Sequence, residues 1–303
     1  MEYVDFLRRS HKRCYLARYV LIADMFECNS SFAIMFTPRI FKFCCSCKKV
    51  DPIGEREAQQ LTMGSWGGSW ESFAYDISDM NAPHFLVTED HARGAMIRFT
   101  PARDAINWAE PWGMLHGNGT TEYLVLTPDD SSGNTGTYKW VLDSNAAENS
   151  AAKYYPNAEG IDCDGETVYF VSKKLQALFQ MDLRSNRYTK ESTVRGLMDG
   201  RPDQIARILQ RGNGEHHADD ILYFCEEGGV DAGVHGRDTN GNFFTILESP
   251  VYHDETSGLA FSPDGKHMYV SYQDNGILLD VSRIDGLPFH AKSLNVKYHA
   301  NPE

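Results

Sequence analysis

The chain has 303 residues and a mass of 34.2 kDa, with 29 Lys and Arg against 42 Asp and Glu, a formal charge of −13. That charge is uneven: residues 1–50 hold nine basic and four acidic side chains, so the other 253 carry −18. A body this acidic repels phosphate backbones and argues against nucleic acid as a partner, and no run of 18 apolar residues offers an ordinary membrane span.

The chain opens with Arg8, Arg9, Lys12 and Arg13 ahead of an apolar-leaning stretch at 15–26, the outline of a secretory signal or signal anchor. Arg18, Asp24 and Glu27 interrupt it, and no small-residue cleavage site follows. Five of the seven cysteines lie in the first fifty residues, and 41–47 followed by Lys48-Lys49 suits palmitoylation beside a basic patch. Residues 1–58 therefore read as a basic, cysteine-rich leader that either targets and anchors the protein or lies outside the fold. Membrane contact is expected only there, and a secreted or membrane-associated location is favoured over a cytoplasmic one.

From residue 59 to 303 the pattern changes to short β-rich runs separated by Asp-Gly and Asn-Gly turns. The runs at 84–88, 123–127, 168–172, 221–225 and 267–271 share one theme, an apolar strand ending on Thr, Ser or Cys. Partner strands follow most of them, at 95–99, 138–141, 177–182 and 276–280. A strand unit recurring every ~40–50 residues is the mark of propeller blades, each burying its faces only against its neighbours. With 70–77 as a further strand, the sequence predicts an all-β propeller of five or six blades; a β-sandwich is the competing solution. One short helix is expected at 204–210, and His216-His217 with Asp219-Asp220 reads as an exposed loop.

A second element also recurs, an acid just before a strand placed to lie near the axis: Glu71, Glu159, Asp203 and Glu255. If the inner strands of all blades run alike, these side chains meet at one mouth of the central channel. Carboxylates held that close raise each other's pKa or call for a cation, and a ring of hard oxygens suits Ca²⁺, Mg²⁺ or Mn²⁺. Glu89 and Glu226, directly after strand ends, are further candidate ligands. Arg201, two residues from Asp203, is placed to clamp a phosphate or carboxylate.

The block from Glu255 through Phe261-Ser262-Pro263-Asp264-Gly265 to Gln273 and Gly276 resembles the PhoX-like (DUF839) β-propeller phosphatases, as do Tyr223–Gly228, Ala158-Glu159-Gly160 and Arg201-Pro202-Asp203. The resemblance covers residues from Trp70 to about Phe289. It implies a secreted or periplasmic phosphomonoesterase using Ca²⁺ with an iron centre, Glu159 and Asp203 as metal ligands, and Arg201 on the phosphate. The iron-ligating Cys of the family falls on Thr88 here, a poor iron ligand beside a thiolate, so calcium is expected and iron is not. The functional expectation is a metal-dependent phosphoesterase acting on a small phosphoester or similar anion. A calcium-dependent lactonase-type hydrolase and a non-catalytic calcium-binding propeller are the alternatives.

Overall fold

A computed structural model describes residues 56–64, 70–208, 221–262 and 264–289, together with the backbone of three strands at 18–22, 32–36 and 48–50. The stretches around Cys44, Cys45 and Cys47, the His216-His217 loop and the tail after Leu294 lie outside the described residues.

The described strands form antiparallel sheets that follow one another along the chain. The first joins β1 (Arg18–Ile22), β2 (Phe32–Phe36), β3 (Lys48–Val50) and β4 (Gln59–Gln60). The second holds β5 (Phe73–Asp76), β6 (His84–Val87), β7 (Ile97–Pro101), β8 (Gly119–Pro128) and β9 (Thr135–Val141). The third is β10 (Ala158–Cys163), β11 (Thr167–Ser172), β12 (Ala177–Asp182) and β13 (Arg187–Ser192). The fourth is β14 (Arg201–Ala206), β15 (Leu222–Glu227), β16 (Gly233–Arg237) and β17 (Phe243–Glu248), and the last is β18 (Thr256–Phe261), β19 (His267–Tyr272) and β20 (Ile277–Ser282). Neighbouring sheets touch through their first strands, in the order β5, β10, β14, β18, β1. This is a propeller with five such units among the described residues, the second and third of them joined into one nine-stranded sheet. Three strands of the first lie in the stretch that the sequence reading set aside as a leader.

Between the second and third sheets, pairing continues across the outer edge, where β9 bonds both β8 and β13. Their shared core is aromatic, with Phe170 stacked on Phe179 at 4.6 Å and Tyr155 edge-on to Phe170. A helix, α1 (Ser144–Tyr154), closes this core from one end. Asp143 caps it, accepting hydrogen bonds from the Asn145 and Ala146 N–H groups. Tyr155, just beyond it, donates to the Leu124 carbonyl at 2.6 Å.

Three local expectations change. Residues 123–127 do not begin a blade; they lie in β8, the fourth strand of the sheet that β5 opens and that also holds β6. The helix expected at 204–210 is instead strand β14 through Ala206, because the Gln204 side chain is spent bridging to β18. Its carboxamide accepts from the Leu259 N–H and donates to the Leu259 carbonyl, stitching two inner strands together. The strand theme also shifts by one residue at Cys225: register pairs Ala158 with Ser172 and Pro202 with Glu226, so Glu226 takes the Ser172 position.

Candidate functional site

The inner strands carry the site because they are bulged at one shared place. In β10 two residues, Glu159 and Gly160, oppose one partner between the Ala158–Ser172 and Ile161–Phe170 pairs. In β14, Asp203 and Gln204 do the same, and in β18, Gly258 and Leu259. A bulge re-aims the extra side chain away from the ladder. Glu159 and Asp203 are thus equivalent, both buried, while the last blade has glycine at that place. Gly160 is required for the two strands to approach: a Cβ there would sit 2.3 Å from the Ile205 nitrogen.

Glu159 is the electrostatic centre. Burial first, then Glu71, Asp203 and Asp90, push its pKa well above the ordinary carboxyl range against the opposing pull of Lys173. The Lys173 ammonium stands among these acids, 3.2 Å from Glu159 and 3.6 Å from Asp90, and in direct contact with Glu227. The other Glu227 oxygen holds the half-exposed Arg201 guanidinium at 2.7 Å. Five carboxylates (Glu71, Asp90, Glu159, Asp203 and Glu227) are therefore grouped around two cations.

Most of the residues expected from sequence are drawn together, though not all in the expected role. Glu71, Glu159, Asp203 and Arg201 belong to this cluster. Glu89 does not; burial raises its pKa, and the charged groups it feels are His91 and Glu148. Its neighbour Asp90 reaches the cluster instead, held by the Asn157 amide at 2.8 Å. Glu226 is fully engaged: one oxygen accepts from the Gly200 N–H at 2.6 Å, the other from Gly233 and the buried His235. It anchors the turn that leads into Arg201. Glu255 bridges to Glu227 through the backbone and accepts from the Gln273 amide.

Lys173 was not foreseen. It stands at the strand-end position where the fourth sheet carries Glu227 and the last carries Tyr272.

Carboxylate oxygens outnumber the cations here, and hard oxygens are the kind of donor that calcium takes. Among the described residues no three His, Cys, Asp or Glu side chains are drawn into a ready coordination shell. An iron centre does not fit. Thr88 is buried, and its hydroxyl donates to the Glu159 carbonyl. No described helix is long and apolar enough to cross a membrane.

No protein-family model and no curated protein matches the sequence. Solved structures do. Pseudomonas fluorescens PhoX, determined with vanadate as a transition-state analogue, superposes with a TM-score of 0.61 at 15% identity over 81% of this chain. The match spans 58% of PhoX, less than two thirds of its length. A periplasmic gluconolactonase from Pseudomonas aeruginosa superposes with a TM-score of 0.43 at 13% identity, over 89% of this chain and 86% of that one. At these identities the likeness is one of fold, and the PhoX superposition establishes it as a β-propeller.

Proposed function

We propose that the protein is a propeller phosphoesterase whose axial mouth binds a phosphoryl group through Arg201 beside a cation-binding acid cluster. The observation that carries this reading is the pairing of an accessible guanidinium with a buried excess of carboxylates on adjacent inner strands. Arg201 stands at the start of β14, half exposed, where its planar fork can take two phosphoryl oxygens.

Glu71, Glu159 and Asp203 are the residues that would hold calcium. Bound there, calcium would neutralise phosphoryl charge and polarise the ester. Buried Thr88 and Ser72 fix the backbone beneath Glu159: the first donates to the Glu159 carbonyl, and the second accepts from the Ile161 N–H. Arg201 orients the substrate and stabilises charge as it develops.

The deciding experiment is hydrolysis of p-nitrophenyl phosphate by the full chain, with and without calcium and a chelator. Turnover should be stopped by chelation and by Arg201→Ala. Turnover indifferent to Arg201 would sink this reading, and lactone hydrolysis surviving that substitution would favour the lactonase alternative.

A further inference from the structure

The residue that joins the two cations is itself an anion. Glu227 ends β15 and splits its carboxylate between Lys173 of the third sheet and Arg201 of the fourth. We propose that Lys173 and Arg201 are the two arms of one anion site, and that Glu227 fills it as an internal ligand which a phosphoryl group must displace. This rests on the phosphoesterase reading and names its substrate-binding residues more fully.

Three observations support it. A carboxylate spread across an ammonium and a guanidinium presents the same paired oxygens that a phosphoryl group offers. The Arg201 side chain is 51% exposed and Glu227 is 20% exposed, so their contact opens toward solvent rather than into the core. The Arg201 half of the bridge is the weaker one, because an ion pair bathed by solvent is screened, whereas the oxygen facing Lys173 is buried. Lys173 also keeps other partners when Glu227 turns away, since its ammonium stands 3.2 Å from Glu159 and 3.6 Å from Asp90.

The backbone supports a side-chain swing as the only movement needed. Arg201 and Glu227 are paired through their main chains, and Glu226 pins the preceding Gly200. The strand positions therefore persist when the Glu227 carboxylate turns away. Beyond Glu227 the chain passes through Gly228 and Gly229, both at positive φ, leaving no side chain to crowd the turn.

The test measures inorganic phosphate binding to the full chain by calorimetry. Glu227→Gln keeps the shape but removes the competing charge, and should bind phosphate about tenfold more tightly than the unaltered protein. Glu227→Asp, too short to span both cations, should tighten binding to a lesser degree. Lys173→Met and Arg201→Ala should each weaken it about tenfold. Phosphate affinity that stays level or falls in both Glu227 variants, while still depending on Arg201, overturns the inference and leaves the phosphoesterase reading standing. Tighter phosphate binding by Glu227→Gln with no phosphoester turned over by any form upholds the anion site and removes the phosphoesterase reading. If no form binds phosphate, both fall.

Discussion

The neighbouring inner strands β10 and β14 carry an ion cluster at each end, and the two clusters are built differently. At the far end Arg207 lies between Asp162 and Asp164, 3.4 and 3.6 Å away, with its guanidinium over the Tyr169 ring. Asp164 also accepts from the Glu166 and Thr167 N–H groups, and Tyr169 donates to it at 3.3 Å. That end is a closed account of one buried cation, two acids and a hairpin turn. At the near end, five carboxylates face two cations, one of them half exposed, and Glu159 is pushed toward its protonated form. Acids whose every oxygen is engaged serve the fold, whereas carboxylates crowded beside an open cation are positioned for a ligand.

The contrast is broken most severely at the far end. Arg207→Met leaves Asp162 and Asp164 without their cation in a largely buried setting, a loss of about 3–5 kcal/mol of folding stability. Urea unfolding measures it. Phosphate affinity of the folded fraction should be unchanged, and a parallel loss of binding would show that the two ends are not separable.

Arg201→Ala is the opposite experiment. Its ion pair is exposed enough to contribute only about 0–1 kcal/mol to stability, yet phosphoester turnover should fall about 10²-fold, as expected when a charge-stabilising donor is removed. A large fall in unfolding midpoint with little change in turnover would assign Arg201 to structure, like Arg207.

The pH response should separate the two ends as well. Glu159 has its pKa raised on folding, by burial and then by Glu71 and Asp203. The folded state therefore holds this proton more tightly than the unfolded chain does. The stability this contributes is fully present below about pH 4.5, the unfolded value, and is lost as pH rises through the raised folded value. Glu159→Gln removes that dependence. The variant and the parent should match near pH 4, and the variant should become the more stable as pH rises. Calcium should narrow the gap by stabilising the parent. Denaturation curves taken from pH 4 to 8 that stay parallel would show that Glu159 is not the crowded group.

Much of this contrast is written in the sequence, because repetition exposes it. Strands β6, β11, β15 and β19 share a readable apolar theme, and the acids Glu159 and Asp203 stand at the same bulged place in β10 and β14, with Glu71 just ahead of β5. Asp164 is legible as a turn residue from its neighbouring Gly165, whereas Asp162, which reads the same way, lies in β10 paired with Tyr169. What escapes is whatever depends on pairing rather than pattern. Residues 123–127 look like a new blade until their register with Ile97 places them in the same sheet as β6. Helix α1 is hard to see because its buried face is built from Ala147, Ser150 and Ala151, too small to print an apolar stripe. Glu226 reads as a ligand by position, yet Gly200, Gly233 and His235 consume both its oxygens. Only the fold reveals that these three meet.

The smallest expected effect tests the boundary of the near-end cluster, at two consecutive acids. Sequence singles out Glu89, but its surroundings are His91 and Glu148 on the helix side, while Asp90 touches Lys173 and is fixed by Asn157. Glu89→Gln should therefore leave phosphate affinity within about twofold, because its carboxylate lies outside the cluster around Lys173. Asp90→Asn removes one of the three acids around Lys173, so the ammonium is less fully neutralised and attracts an incoming anion more strongly. Phosphate should bind modestly more tightly, by about two- to fivefold, since one partly screened charge contact changes. Calorimetry on the two variants side by side reads the difference. A larger change from Glu89 than from Asp90 would move the edge of the site toward α1 and require the cluster around Lys173 to be redrawn.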